Sequence, residues 1–352
     1  MKEKIKVAVI FNEAHPEFYQ KTATDKKPDF IPYFEVDVLN PIEEYHLLTE
    51  RLRNDGFNAY SLNISDNIIT LIDDLKKNKP DVIFNFVEIY KENARLEMNI
   101  VGIMELSGIP YTGASPLALS NCQNKALSKR LMNYEGLKIP QFIFIKEPLS
   151  RYNHTLNFPL IIKPAYEDAS VGIENESIVN NNKELKARVN FLFSNFNQPA
   201  LVEEYIDGRE LNVALLGDKN PEVLPISEID FNEMPDHLHK IVSYQAKWNP
   251  HHEAYHKTIP ICPANLPKDI EEKAKELAIK AFTIMGCRDY ARIDMRFSSS
   301  DNELYILEVN PNPDLTEGAG FMRSAEAAGL NYVDTLKIII ELALKRGNKN
   351  QK

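Results

Sequence analysis

The chain has 352 residues, more than one ordinary domain needs and enough for two or three compact cores. Hydrophobic residues make up 43% of it, which excludes a disordered chain, and a formal charge of -10 argues against general binding to DNA, RNA or anionic membrane, since those polyanions select basic surfaces. Taken in chain order, the apolar run at residues 7–11 reads as a first strand, too short for a leader and followed by no small-residue cleavage site. Residues 58–62 and 82–86 read as further buried strands, separated by helical patterns near 42–53 and 68–78. Gly56 and Gly108 are placed to cap helices at their C-terminal ends. This alternation predicts an α/β unit with a parallel sheet and helices on both faces. Its first strand runs into Phe11-Asn-Glu-Ala-His-Pro16, without the glycines that close approach to a pyrophosphate requires, so a nucleotide is not expected there.

A boundary is expected near Pro116, where the pattern changes. A helix at 125–134 ending at Gly136, strands at 141–145 and 160–163, a helix at 183–193 and a strand at 200–205 describe a small α+β unit. Strands at 210–216 and 223–229 follow, then a polar connection at 231–257, a helix at 268–285, two more strands and a last helix at 332–345. The expected units are therefore 1–115, 116–206 and 207–352. The polar connection is too long for an ordinary loop and reads as a lid without secondary structure of its own. It holds His237, His239, His251, His252 and His256, but without the helical spacing of a zinc site. Cys122, Cys262 and Cys287 are too few and too scattered for a disulfide framework or a CxxC site, which fits a reducing cytoplasm. No stretch approaches the length of a membrane-spanning helix.

The chemistry concentrates in Arg292-Ile-Asp-Met-Arg-Phe297 and Leu304-Tyr-Ile-Leu-Glu-Val-Asn-Pro-Asn-Pro313. Residues two apart on a strand face one side, so Glu308 and Asn310 can converge on one ion while Asp294 reaches it from the neighbouring strand. A hairpin with one polar face would also place acids at alternate positions. Oxygen donors without Cys or His suit Mg2+, which keeps waters and shares its remaining positions with nucleotide phosphates. Lys163, in the apolar strand Pro159-Leu-Ile-Ile-Lys-Pro164, calls for an anionic partner. Lys125 opens a helix, and Lys247 lies in the lid segment Tyr244-Gln-Ala-Lys-Trp248.

These segments resemble the ATP-grasp ligases, specifically the D-alanine:D-alanine ligase branch, and the resemblance runs through most of the chain. It implies an ATP-grasp fold, α/β and α+β, behind an N-terminal Rossmann-like (pre-ATP-grasp) α/β domain. By the same resemblance Asp294, Glu308 and Asn310 hold Mg2+, for which Mn2+ can substitute, and Lys125, Lys163 and Lys247 contact ATP phosphates. Tyr166-Glu-Asp-Ala-Ser-Val-Gly172 reads as a phosphate-covering loop that includes Ser170. Glu203, Glu204, Tyr205 and Ile206 resemble an adenine-binding hinge, with Glu210 on the ribose. Arg292 is expected to stabilise an oxyanion as phosphate leaves, with Lys247 and Ser170 beside it in catalysis. The implied reaction joins a carboxylate to an amine through an acyl phosphate, with ADP and phosphate released. Small-molecule acids and amines are the expected partners, with no nucleic acid and no membrane, and the resemblance makes a homodimer plausible.

Departures from the branch cluster around substrate. The family's glycine-rich turn and its orienting glutamate are replaced by Asn12-Glu-Ala-His-Pro-Glu17, with Glu13 or Glu17 as candidate substitutes. Asp168-Ala169 stands where Gly-Ser is common, Trp248 where tyrosine is usual, and Asp314 where a glycine supports the oxyanion. Glu317-Gly-Ala-Gly320 lacks a serine expected for the acceptor carboxylate. The expected enzyme therefore ligates amino acids or peptides other than two D-alanines, with Glu17, Trp248 and Asp314 as substrate residues. An authentic D-alanine:D-alanine ligase and a silent ATP-binding regulator or scaffold are the alternatives.

Overall fold

Unbroken apolar runs form the first sheet. The computed structural model describes residues 4–14, 41–148 and 152–350. In it β1 (Lys6–Phe11), β2 (Asn58–Asn63) and β3 (Val82–Phe86) pair in parallel in the order β2-β1-β3. The helices α1 (Pro41–Asn54) and α2 (Ile68–Asn78) make the crossovers. Asn67 caps α2 by accepting from the Ile69 amide, and Lys79 closes it in the left-handed conformation. Successive residues of β1 serve opposite faces. Ala8 and Ile10 pack with Leu71 and Leu75 of α2 and with Ile100 and Met104 of α3 (Glu97–Leu106). Val7 and Val9 pack with Leu48 and Leu52 of α1 and, from the far end of the chain, with Leu336, Ile339 and Ile340.

The helices α4 (Pro116–Gln123) and α5 (Lys125–Tyr134) lead into a second, antiparallel sheet. It is built from β4 (Phe142–Ile145), β5 (Leu160–Pro164), β6 (Ile178–Val179) and β7 (Ala200–Glu204), in the order β4-β7-β5-β6. Leu185, Val189 and Leu192 of α6 (Asn182–Phe196) cover one face. The third sheet contains β8 (Gly208–Leu216), β9 (Glu222–Val223) and β10 (Ser227–Asp230), then β11 (Ile259–Ile261), β12 (Tyr290–Ser298) and β13 (Leu304–Asn310). Its order is β11-β10-β8-β12-β13, with β9 on β8. Between β10 and β11 lie α7 (Tyr244–Trp248) and α8 (Glu253–Lys257), and α9 (Lys268–Met285) precedes β12. The chain closes with α10 (Gly320–Ala327) and α11 (Tyr332–Asn350), the helix that supplies Leu336, Ile339 and Ile340 to the first sheet.

Two expected elements differ. The single strand at 223–229 is broken into β9 and β10, because Pro225 has no amide to give a ladder. The polar connection carries α7 and α8, which use Ser243 and His252 as side-chain N-caps. Ala274, Ala278 and Phe282 of α9 share one core with Met132 of α5, with Leu137 and Ile139, and with Val213, Ile293 and Ile306 of the third sheet. No helix among the described residues is long and apolar enough to cross a membrane.

Candidate active site

In the β12–β13 ladder Asp294 stands opposite Glu308 and Arg292 opposite Asn310, so all four side chains share one face of the sheet. The Arg292 guanidinium forks onto the Asp294 carboxylate at 2.7 and 2.8 Å. Asn310 donates to Asp294 Oδ2 at 2.9 Å, and Asn212 of β8 donates to Oδ1 at 2.7 Å. The Lys125 ammonium, from α5, lies 2.9 Å from Glu308 Oε2. Burial would raise the Glu308 carboxyl, but Lys125, Lys163 and Arg292 outweigh it and hold that carboxyl below the usual carboxylate range. Burial would likewise lower the Arg292 guanidinium, and Asp294 more than restores it. No group of three or more His, Cys, Asp or Glu among the described residues is arranged to hold a metal. Asp294, Glu308 and Asn310 thus offer part of a shell, all of oxygen, which fits a cation completed by waters and phosphate oxygens. Asn212 was not singled out by sequence, although an amide inside the apolar run of β8 is the kind of signal that marks a buried partner.

A second charge cluster lies beside the first. Lys163 on β5 is 2.9 Å from Glu203 Oε2, and Lys129 on α5 is 2.6 Å from Glu203 Oε1. Lys129 also donates to the Leu307 carbonyl at 2.9 Å, which ties the second sheet to the strand carrying Glu308. Two ammonium groups share one buried carboxylate. Burial opposes the charge on Glu203, yet the two lysines hold its carboxyl below the usual range, while burial lowers the Lys129 ammonium. Sequence reasoning missed Lys129, although it follows Lys125 by one helical turn on the same face.

The remaining hinge residues point elsewhere. Glu204 Oε1 accepts from the amide and side chain of Asn157 at 2.8 and 2.9 Å. The Glu204 and Tyr205 amides donate to the Gln141 and Pro159 carbonyls, while the Ile206 amide has no hydrogen-bond partner among the described residues. The Tyr205 hydroxyl donates to the Lys240 carbonyl at 3.2 Å. Glu210 pairs with Arg296 at 2.8 Å, and burial is the leading cause that raises its carboxyl.

The phosphate-covering loop and the lid are latched together. Ser170 donates to the Val242 carbonyl at 2.8 Å, and the Trp248 indole donates to the Ala169 carbonyl at 2.8 Å. Ala169 and Ser170 adopt positive φ. So does Gly172, where a Cβ would come within 2.5 Å of Pro164. From α6, Arg188 grips the loop through Glu174 at 2.7 Å and the Gly172 carbonyl at 2.8 Å. Lys247 stands 5.1 Å over the Trp248 ring. His237, His239 and His252 line a cavity of about 300 Å³ under the lid with Asn175, Glu176 and Ser243.

Facing these cations is an acidic wall. The Glu88 carboxyl, just beyond β3, is pushed up to about 7 by desolvation, then by Asp314, Asp168 and Glu13, with Lys247 opposing. Glu88 is itself an exposed residue. Glu44 of α1 is raised by burial and by Asp314, whose Oδ1 accepts from the Thr316 amide at 2.8 Å. Asp314 therefore acts electrostatically on two carboxylates that sequence reasoning did not single out. Glu17 lies outside the described residues.

With this geometry in place, comparison with known proteins is specific. The family model described as the D-ala D-ala ligase C-terminus matches residues 131–341. A D-alanine–D-alanine ligase of Carboxydothermus hydrogenoformans is 31% identical over 306 residues, covering 85% of this chain and 91% of the relative. The "uncharacterized protein y4sG" of Sinorhizobium fredii is 32% identical over 265 residues, 75% of each chain. The crystal structure of the Bacillus anthracis D-alanine–D-alanine ligase complexed with ATP superposes with a TM-score of 0.74 at 24% identity, covering 99% of this chain and 100% of that one.

Proposed function

The chain belongs to the D-alanine:D-alanine ligase family of ATP-grasp enzymes, which makes it a carbon–nitrogen ligase, and from that premise we propose that it couples amino acids or peptides other than two D-alanines. A carboxylate is a poor acyl donor because its leaving group would be oxide. In the proposed reaction the donor carboxylate takes the terminal phosphoryl group of ATP as ADP leaves, and the acceptor amine attacks the resulting acyl phosphate, forming the amide as phosphate leaves and the amine nitrogen gives up a proton. The observation that supports this best is the convergence of Arg292, Asp294, Glu308 and Asn310 on one sheet face with Lys125 beside Glu308.

In this reading Asp294, Glu308 and Asn310 hold Mg2+, which when bound neutralises the charge that develops on the phosphates. Lys125, Lys163 and Lys247 supply cations to the phosphates, and Arg292 steadies the oxyanion when phosphate departs. The Ile206 amide, free of other partners among the described residues, meets the base, and Glu210 meets the ribose. ATP lies between the second and third sheets, and the substrates lie toward the first, in units 1–115, 116–206 and 207–352. Ser170 and Trp248 keep the loop and lid closed, which excludes water from the acyl phosphate.

The departure from two D-alanines rests on the acidic wall. The mutual repulsion of Asp314 with Glu44 and Glu88 favours substrates that carry more positive charge than alanine does. The names of the relatives support a second outcome, D-alanyl-D-alanine itself. Incubating the protein with ATP, Mg2+ and pooled L- and D-amino acids and small peptides, while following phosphate and new masses together, separates the two. A product other than D-alanyl-D-alanine is expected. Formation of that dipeptide alone, at useful rates, would make the second outcome the right one.

A further inference from the structure

One arginine near the cleft has no carboxylate partner among the described residues. Arg323 lies on α10, a helix fixed in the core by its buried neighbours Phe321, Met322 and Ala325. Its side chain turns back toward the start of that helix, where Nη2 donates to the Gly318 carbonyl at 2.9 Å and Nη1 reaches the Ser227 hydroxyl at 3.4 Å. A guanidinium has five N–H donors, so the others are without a partner among the described residues. Arg292, Arg296 and Arg346 each have a carboxylate; Arg323 has none among the described residues. Burial lowers its guanidinium, Cys262 opposes that, and the charge of Arg292 lowers it further; an arriving anion would relieve the net cost. Arg323 is also close to the proposed chemistry. Gly320, one turn earlier on the same helix face, would place a Cβ 3.8 Å from Cδ and Nη1 of Arg292.

We propose that Arg323 is the residue of this chain that anchors the acceptor's carboxylate, and that it sets how strongly the enzyme discriminates against acceptors lacking one. The planar fork of a guanidinium matches a carboxylate bidentately, which an ammonium cannot do. In an α-amino acid the amine and the carboxylate share one carbon. A carboxylate held at Arg323 therefore keeps the amine within reach of an acyl group held at Arg292. Of the lysines assigned to phosphate, Lys125 pairs with Glu308 and Lys163 with Glu203, whereas Arg323 pairs with neither carboxylate. This inference rests on the ligase reading.

The test compares free amino acids with their carboxamides as acceptors, in wild type, Arg323→Gln and Arg323→Lys. The wild type is expected to prefer the free acid by roughly 100-fold in kcat/KM, the scale of a charge-assisted hydrogen-bonded pair. Arg323→Gln should raise the acceptor KM by a similar factor, bring the acid-to-amide ratio near one and leave the KM for ATP unchanged, while Arg323→Lys should recover part of the preference. An unchanged acceptor KM, or a raised KM for ATP in its place, would overturn the proposal. Binding of alanine and alaninamide, each as both enantiomers, is read in parallel by saturation-transfer NMR with ADP and Mg2+ present. If the wild type makes no amide, the ligase reading fails. The subsite still stands if acid is bound over amide through Arg323, and falls if binding is absent or indifferent to either change.

Discussion

Glu203 shows how one side chain can serve both stability and ligand charge. Its carboxylate lies between Lys129 and Lys163, all three largely removed from water. Glu203→Gln would leave two sheltered ammonium groups without their anion, and breaking a buried pair in this way costs about 3–5 kcal/mol. Because the folded carboxyl is held below its ordinary value of 4.5, this stabilisation is complete above that value and is lost as pH falls through the lower folded pKa. Denaturant midpoints measured at neutral pH and at successively lower pH should show a steeper acid loss in the wild type than in Glu203→Gln. Glu88 has the opposite sign. Its carboxyl is raised to about 7, so its contribution to stability is present when it is neutral and disappears as pH rises through that value. The same deprotonation makes the acidic wall more negative. The KM for a substrate ammonium should therefore fall as pH rises past 7, and Glu88→Gln should flatten that profile; an unchanged profile would remove Glu88 from substrate recognition. Glu308 and Asn310 were legible in the sequence because strand periodicity puts residues two apart on one face, and the register of β12 on β13 adds Asp294 to it. Glu44 and Glu88 were not, since they come from segments far apart in sequence and carry no local pattern, whereas Asn212 was legible only as an amide inside the apolar run of β8.

The lid illustrates where element-scale reading stops. Residues 231–257 read as a structureless connection, yet they contain α7 and α8 at five residues each. A helix that short shows barely one period of any pattern, so its caps carry the signal instead, here Ser243 and His252. The break between β9 and β10 was legible in principle, from Pro225 inside an apolar run. Longer elements such as α5 and α9 have complete periodicity, and they form where the pattern places them. Because α7 meets the phosphate loop through the Trp248 indole and Ala169, the lid has a removable latch. Trp248→Phe keeps the ring and deletes the donor, a loss of about 1 kcal/mol for a neutral hydrogen bond. The closed state should then be several-fold less populated. The expected readout is more ADP formed per amide produced, because water gains access to the acyl phosphate. An unchanged ratio of ADP to amide would show that closure does not depend on this bond.

At the scale of the molecule, three sheets are joined by cores that ignore sequence order. The helix α11 closes a face of the first sheet, and α5 shares a core with α9 beneath the third. Periodicity marked both helices as amphipathic but could not name the surface each covers, because that choice is a non-local contact. Charge helps to join the second and third sheets: Lys129 of α5 meets Glu203 of β7 and the Leu307 carbonyl of β13, and Lys163 shares that carboxylate. Nearby, Lys125 meets Glu308, so the bridge is rich in cations. A nucleotide drawn between the sheets would engage both sides at once and stabilise the whole assembly by linkage. At a ligand concentration of 100 times Kd the gain is about 2.7 kcal/mol, which for a chain of this size corresponds to a rise of several degrees in Tm. Adding ADP and Mg2+ should therefore raise Tm, and chelating the metal should reverse most of the rise. Lys163→Met retains the Lys129–Glu203 pair, so its unliganded Tm should stay nearer the wild type than its response to nucleotide does. A full nucleotide response in that variant would move Lys163 out of the phosphate site and leave it a purely structural partner of Glu203.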